Sequence, residues 1–466
     1  MRDCKAWKDE NLSLSTTSNE AAKFFDSALT QYVTWLEDDC VGGIEGACEK
    51  MTEADPNFVM GNVIALGLEL MATGRTIRLD SEFAQQFKNL EAMSKNATPR
   101  EKLHCKAVCE WSKEHYANAH NTWEEILVDY PNDLLALKFA HDAYFYLGES
   151  QMIRDSVARV LPSWKESNPF YGYLKGMHAF GLEETNLYSD AEKAGREALK
   201  YNKTDCWATH ALAHCYEMTG KQSEGADFMA LTESDWSQGG MLACHNYWHW
   251  SLYHLEMNNH PFVLDIYDQQ IQERSTKSGA MLDVVDAASI LLRLELDGVD
   301  VGSRWDAVHD LCRPHIDDHI MVFNDCHFLM SYLGSKKDGG KAAKDFIASV
   351  EKYLKGEDEE ADNQKVCKNV GFPIMQALVA FKEERYDDAA ELLYPVKNDV
   401  VKIGGSHAQR DVFAQLLLHS CIRSSKKKNQ DLARALIRER KCLKRNAPLT
   451  DRMHARHLLV HEAYDL

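Results

Sequence analysis

Apolar residues recur every three or four positions along almost the whole chain, from about residue 20 onward. This spacing is typical of amphipathic α-helices, and no segment shows the sustained alternation of a half-buried strand. The 466 residues include only 25 Gly and 10 Pro. Sheet sandwiches and barrels need a turn about every 8–12 residues, which this composition does not supply. The sequence therefore predicts an all-α protein.

The helices show signs of repetition in pairs. The second helix of a tetratricopeptide hairpin carries small and large residues at fixed spacing and ends at a Pro. Ala119, Trp123, Ile126 and Pro131 have this spacing, and several other segments match it in part. We predict an α-solenoid of tetratricopeptide-like helical hairpins, with residues 1–19 as an N-terminal extension and 20–460 as a single domain. The alternative is a plain helical bundle.

Several longer runs are similar to the tetratricopeptide repeat protein 38 family. They include LALKFAHDAYFYLG (135–148), MLACHNYWHWSLY (241–253) and GGSHAQRDVF (404–413). The resemblance extends from about residue 20 to about residue 450. It implies an all-helical fold whose clearest tetratricopeptide repeats lie near 100–133, 172–205 and 244–277. It implies no particular biochemical activity, so function has to be sought in the residues themselves.

The charge balance and the cysteines restrict the partners and the compartment. Lys and Arg total 53 against 72 Asp and Glu, a formal net charge of −19. Such a surface repels phosphate groups, so we expect no nucleic-acid partner and no membrane partner. The 13 cysteines are scattered without a CxxC pair, and the N-terminus does not resemble a secretory signal. We predict a cytoplasmic protein with reduced cysteines; the oligomeric state is not predictable.

A stripe of histidine and tryptophan residues lies on two successive predicted helices near the middle of the chain. On the helix predicted for 207–218, these side chains fall opposite Leu212 and Tyr216. A similar set follows about one repeat later. Because first helices line the concave groove of a tetratricopeptide array, we predict one groove or ligand-binding surface. It comprises Trp207, His210, His214, Glu217, His245, Trp248 and His249.

Three interpretations of this stripe remain open. Histidines spaced four apart on facing helices offer imidazoles to zinc or a similar metal. However, there is no HExxH motif and no recognised inward carboxylate, so we predict no metal and no cofactor. The stripe could instead bind a carboxylate, a peptide or a small aromatic molecule, or it could simply pack between helices. Asp283 and Asp286, one turn apart on a later helix, are further carboxylates within reach of a groove.

A second candidate site lies at the start of a later helix. Ser406 and Gln409 have the spacing of a capping box, and Arg410 follows directly. The free N–H groups of such a helix start favour anions, so Ser406, His407 and Arg410 form a candidate anion-binding site. Adjacent Ser and His on one helical turn cannot face each other as nucleophile and base, so we predict no catalytic residue. The basic run RERKCLKR (438–445) is a solvated face or a docking patch.

Two classes of function are compatible with these features. A binding scaffold, which captures a peptide or partner protein, requires an open groove of polar and hydrophobic residues. A small-molecule-binding protein, or a metal-dependent enzyme, requires a partly buried pocket with titratable groups of shifted pKa. Helical repeats commonly provide binding surfaces, so the sequence favours the scaffold without excluding the other class.

Overall fold

The computed structural model describes residues 1–356 and 361–461. Within these ranges the regular structure is entirely helical, without a strand, which confirms the predicted all-α fold and its helical hairpins. The chain divides into two compact units. In the same ranges, no helix combines the length and the apolar composition needed to cross a membrane.

The first unit comprises Met1–Ala211 together with Asp235–Leu242 and a short segment that ends at Asn363. Its helices are α1 (Cys4–Asp9), α2 (Asn19–Thr34), α3 (Gly43–Ala54), α4 (Val59–Met71), α5 (Ser81–Ser94), α6 (Pro99–Ser112), α7 (Tyr116–Asp129), α8 (Leu134–Leu147), α9 (Ser150–Val160), α10 (Tyr171–Glu184) and α11 (Tyr188–Tyr201).

The second unit begins at Leu212, within α12, and contains most of the remaining chain. The helices from there are α12 (Cys206–Met218), α13 (Gln222–Trp236), α14 (Gly240–Glu256), α15 (His260–Ile266), α16 (Gln272–Ser278), α17 (Met281–Asp297), α18 (Trp305–Cys312), α19 (Val322–Gly334), α20 (Lys341–Tyr353), α21 (Asp362–Val366), α22 (Phe372–Lys382), α23 (Tyr386–Val396), α24 (His407–Arg423), α25 (Lys427–Leu443) and α26 (Pro448–Val460).

Small residues let neighbouring helices approach closely. On α10, a Cβ at Gly181 would come within 2.4 Å of the Arg154 Cα on α9. On α4, a Cβ at Gly67 would come within 2.3 Å of the Phe139 ring on α8. Such interiors are close-packed, so a side chain at either glycine would push its helix away from its neighbour.

First and second helices of the hairpins differ in burial. Helix α8 is buried from Leu134 to Tyr144 on every side and ends at Gly148, whose φ of +69° is the left-handed conformation that suits glycine. Helix α11, by contrast, buries only Ala191, Gly195 and Ala198. Helix α8 is therefore an inner helix of the first unit, and α11 is an outer one.

The predicted N-terminal extension is folded into the first unit. Trp7 on α1 is buried, and its ring lies 5.1 Å from that of Phe25 on α2. Arg2 forms an ion pair of 2.8 Å with Asp26. Residues 1–19 thus belong to the packed structure of this unit, and the prediction of one domain over 20–460 stays a prediction.

Two helical stretches each contain one π-helical turn. Tyr267–Ile271 joins α15 to α16, and Cys367–Gly371 joins α21 to α22. In each turn the closing N–H bonds to the carbonyl five residues earlier, from Gln272 to Tyr267 and from Phe372 to Cys367. Each π turn therefore holds one extra residue within an otherwise α-helical stretch.

A candidate ligand pocket beside a histidine cluster

Helix α24 covers the face of α17 in the second unit. The Arg293 guanidinium on α17 donates to the Ala408 carbonyl on α24 at 2.6 Å. Asp286, two turns earlier on α17, accepts from the Gln409 amide at 3.3 Å. These contacts bury a helix face that the sequence analysis expects to border an open groove. The polar residues here are consequently held inside the second unit.

Three histidines of the second unit form one buried group, which we call the histidine cluster: His214 on α12 and His245 and His249 on α14. The rings of His214 and His249 lie 4.3 Å apart, and those of His245 and His249 lie 4.8 Å apart. Each histidine offers a ring nitrogen within 4.8 Å of a ring nitrogen of the others. Their exposed fractions are between 0% and 2%. His245 and His249 lie on one face of α14, because they are spaced by one turn.

Two carboxylates border the histidine cluster. Asp286 Oδ2 lies 2.6 Å from His245 Nδ1, which places the ring proton on Nδ1. Glu217 Oε2 lies 3.6 Å from His249 Nδ1. Burial lowers the pKa of His214 well below its ordinary value, with His249 and His245 as the next contributors. Burial, followed by His245 and Arg293, does the same to the pKa of His249. These two imidazoles are therefore neutral near neutral pH.

A pocket of about 110 Å³ lies next to the cluster, and we call it the α24 pocket. Glu217 is one of its lining residues, so the pocket adjoins the histidine cluster. Arg293, with a side chain only 2% exposed, forms its deep end, whereas Leu443, 70% exposed, marks its mouth. The other polar residues that line it are Glu256, His407, Asp411, Gln415, Arg440, Lys444 and Thr450.

Ion pairs organise the charged side chains of the α24 pocket. Asp411 accepts two bonds from the Arg440 guanidinium, one of them 3.1 Å long, and lies 3.6 Å from Arg293. Burial by itself raises the pKa of Asp411, but Arg440 and Arg293 outweigh it and hold that pKa well below its ordinary value. Lys444 pairs with Glu256 at 2.8 Å. Burial raises the pKa of Glu217 although Lys444 and Arg293 act against it.

The remaining members of the predicted stripe are divided between the two units. Trp248 belongs to the second unit, where it is fully buried and stacks on His245 at 5.2 Å. Trp207 and His210 belong to the first unit and pack on the Phe180 ring at 5.1 and 4.9 Å. That all seven residues share one pocket stays a prediction.

Trp207 also contributes to an aromatic enclosure around a buried lysine in the first unit. The Lys138 ammonium lies 4.5 Å from the Tyr32 ring, 4.8 Å from Trp35 and 5.6 Å from Trp207. It donates to both Asp142 oxygens at 2.6 Å. Burial lowers the pKa of Lys138, and the opposing effect of Asp142 offsets this only in part. The paired charges and the aromatic faces together satisfy this cation without solvent.

The predicted capping box at the start of α24 is confirmed. The Ser406 hydroxyl accepts from the Gln409 backbone N–H at 3.2 Å, and the Gln409 side chain accepts from the Ser406 N–H at 3.1 Å. Arg410 bonds the Gly405 carbonyl, and His407 lines the α24 pocket. The structure thus brings the second candidate site next to the histidine cluster, although anion binding by Ser406, His407 and Arg410 stays a prediction.

Several residues of this site are not found by sequence reasoning. Arg293 and Asp411 stand within helical patterns without a motif, and each gains its role from a neighbour more than 100 positions away. Arg440 and Lys444 lie in the basic run at 438–445, which the sequence analysis treats as a surface feature. Asp286 is the exception, because its spacing from Asp283 predicts that the two carboxylates lie on the same helix face.

Asp205 is a buried carboxylate whose charge should make the stability of the protein depend on pH. Its Oδ1 accepts from the backbone N–H groups of Trp207 and Ala208, both at 3.0 Å, and the residue is 1% exposed. Burial raises its pKa from 3.8 to about 7. A raised pKa in the folded state stabilises the protein fully below pH 3.8, and this contribution is lost as the pH rises through 7.

Asp205→Asn keeps the cap without a charge and should therefore be more stable than wild type at about pH 8, by up to about 4 kcal/mol. Thermal unfolding of both proteins between about pH 5 and pH 8 checks this. An unchanged pH dependence in the variant would contradict it.

The comparisons with known proteins give structural likenesses at low identity. No protein-family model matches the chain. A Rap protein in complex with competence and sporulation factor is 10% identical, with a TM-score of 0.44, and the match covers 79% of this chain and 99% of that one. An IFIT1 monomeric mutant with Gppp-AAAA is 12% identical, with a TM-score of 0.37, and covers 99% and 98%. A human IFIT1 dimer with m7Gppp-AAAA is 12% identical, with a TM-score of 0.36, and covers 98% and 97%. These are helical repeat proteins, and no residue role is transferred from them to this chain.

Proposed function

We propose that the protein is a helical-repeat binding protein that takes a small organic anion, such as a carboxylate or a phosphate compound, into the α24 pocket. The single observation that supports this most is the lining of that pocket by Arg293, Arg440 and Lys444 together with His407. In a chain with a formal net charge of −19, a concavity whose three cations match its three carboxylates is less negative than the chain as a whole.

The charge balance of the pocket is compatible with an anion. Arg440 and Arg293 share a single carboxylate, Asp411, and Lys444 is paired with Glu256. The remaining acid, Glu217, has a pKa that burial raises. The three cations thus face three carboxylates, and a bound carboxylate or phosphate group is accommodated when Glu217 holds its proton. Guanidinium groups bind both anions through paired N–H donors.

The size of the pocket limits the ligand. A volume of about 110 Å³ is well below the ~300–1,000 Å³ of sites for drug-sized molecules. It accommodates a small anion, or the charged end of a longer molecule whose remainder stays outside near Leu443. A partly buried pocket with titratable groups of shifted pKa is the feature that distinguishes a small-molecule site from an open scaffold groove.

This proposal keeps the predicted binding role and changes the expected ligand. The histidines predicted to face an extended peptide are buried, so their side chains do not offer a surface to a long chain. A peptide enters the proposal only through a terminal carboxylate. Membership of the tetratricopeptide repeat protein 38 family, a cytoplasmic location and the absence of a nucleic-acid partner are further proposals, which rest on the sequence.

Anion binding is tested by isothermal titration and thermal unfolding. The probes are inorganic phosphate, succinate, and a short peptide with either a free or an amidated C-terminus. We expect at least one anion to bind the wild type and to raise its melting temperature. Lys444→Gln combined with Arg440→Gln should weaken that binding at least about tenfold, since each charge-assisted hydrogen bond contributes about 1.5–3 kcal/mol.

Lys441→Gln is the matched control. It lies on the same helix, α25, but pairs with Asp451 rather than lining the pocket. Its affinity for the anion should equal that of the wild type. Binding only of the free-terminus peptide would identify a peptide end as the ligand. No binding of any probe, or equal binding by the double variant, would refute the proposed function.

A further inference from the structure

The histidine cluster places carboxylates against imidazoles, which helical spacing alone does not establish. The prediction of no metal rests on the absence of an HExxH motif and of a recognised inward carboxylate. In the structure, Asp286 bonds His245 at 2.6 Å and Glu217 lies 3.6 Å from His249. The second of these two grounds is therefore removed by residues on α12 and α17.

We propose that His214, His245 and His249 bind one zinc ion through their ring nitrogens. Three histidines with one open position are a common ligand set for zinc, and imidazole suits this borderline metal. Ligand nitrogens at about 2.0–2.1 Å from a tetrahedral zinc ion lie ~3.4 Å from each other. The ligand atoms of the cluster lie within 4.8 Å of one another, so only small side-chain movements are needed to close around the ion.

Asp286 orients the cluster for this role. Its contact with His245 Nδ1 leaves Nε2 of that ring as the lone-pair nitrogen, which is the form that binds a metal. Asp286 is itself held by the Gln409 amide at 3.3 Å, and Gln409 is fixed by the capping box of α24. A histidine supported by a carboxylate, which is supported in turn by an amide, is the usual outer shell of a zinc ligand.

Glu217 connects the cluster with solvent. It lines the α24 pocket, and its Oε2 lies 3.6 Å from His249 Nδ1. Ions and water therefore have an entry path. Glu217 is placed either to complete the coordination or to bond a zinc-bound water.

Metal content is measured on protein purified without a histidine tag, in a Cys40→Ser, Cys442→Ser background that removes the exposed thiols. After removal of metals, the protein is titrated with Zn²⁺ and with Co²⁺ in the absence of any organic anion. We expect about one Zn²⁺ per chain by elemental analysis and a visible Co²⁺ spectrum of tetrahedral nitrogen ligation.

Single variants distinguish the proposed zinc ligands from Asp286, which supports one of them. His249→Ala and His245→Ala should lower the zinc affinity by more than about 100-fold, and Asp286→Asn by about 10–100-fold with unchanged stoichiometry. His254→Ala is the matched control, since His254 lies on α14 but packs on Phe262, 3.8 Å away, outside the cluster. The Co²⁺ spectrum of the wild type and the Asp286→Asn affinity remain informative if an alanine variant does not fold.

The proposal is overturned if the wild type neither holds nor takes up zinc. It is also overturned if His249→Ala and His245→Ala bind zinc as tightly as the control. The proposal does not depend on anion binding, which is measured separately on metal-free protein, so either can fail without the other.

Discussion

Replacing Asp133 by alanine is expected to destabilise the first unit by about 3–5 kcal/mol, because it leaves a buried arginine without its counter-ion. Asp133 lies 2.7 Å from Arg100 and 2.9 Å from His104, and the side chains of all three are at most 3% exposed. Its Oδ1 also caps α8 by accepting from the Ala136 N–H at 3.0 Å. Urea unfolding followed by circular dichroism measures the loss.

Two further variants separate the loss of the ion pair from the loss of the helix cap and provide a surface control. Asp133→Asn keeps an acceptor for the helix cap, so it should be more stable than Asp133→Ala by about 1 kcal/mol. Asp129→Ala, at an exposed position on α7, should change stability by less than about 0.5 kcal/mol. A loss of under about 1 kcal/mol for Asp133→Ala would show that Arg100 finds other partners.

Acid should weaken the same contact in the wild type. Burial raises the pKa of Asp133, but His104 and Arg100 outweigh it and bring the pKa well below the ordinary 3.8. For a lowered pKa, the stabilisation is complete above 3.8 and is lost as the pH falls through the folded value. The stability difference between wild type and Asp133→Asn should therefore shrink below about pH 4.

The second large effect is expected at Asp411, where one carboxylate serves two guanidinium groups. Asp411→Ala leaves Arg293 buried with its charge uncompensated and frees Arg440 from its paired bonds. We expect a loss of about 3–5 kcal/mol, confined to the second unit. Urea unfolding with hydrogen-exchange detection locates the loss in the helices α17, α24 and α25.

A double-mutant cycle tests whether charge is the cause. The cycle compares Arg293→Met, Asp411→Ala and the double variant. Because the double variant removes both charges, it should lose less stability than the sum of the two single variants, by about 0.5–3 kcal/mol. Asp451→Ala is the control, because that side chain is 67% exposed and its ion pair lies on the surface. Strict additivity of the two single effects would contradict the interpretation.

Much of the fold is predictable because local pattern determines it. The buried run of α8, its end at Gly148, and the capping box of α24 all depend on residues within one helix and its first or last turn. The hairpin spacing at Ala119, Trp123 and Ile126 corresponds to side chains that are fully buried on α7. Such features need no knowledge of distant contacts.

The candidate site is predictable only in part, because it depends on contacts between distant helices. The spacing of His245 and His249 predicts that they lie on one face of their helix, and their rings lie 4.8 Å apart. That α24 covers this region could not be expected, since a repeat pattern describes neighbouring hairpins alone. Arg293 and Asp411 become partners only through that packing. The sequence analysis predicts an open groove because local spacing does not show which distant helix packs against the polar stripe.

The two π turns have a consequence for aligning the repeats of this chain. A π turn takes in one residue more than an α-helical turn, so the side chains before and after it no longer follow one continuous α-helical spacing. Tyr267–Ile271 falls inside the repeat placed near 244–277, and Cys367–Gly371 falls further on. An ungapped repeat profile therefore changes phase halfway along each of these helices. Alignments that place a one-residue gap at each turn should bring the two halves of each helix back into register with the other hairpins.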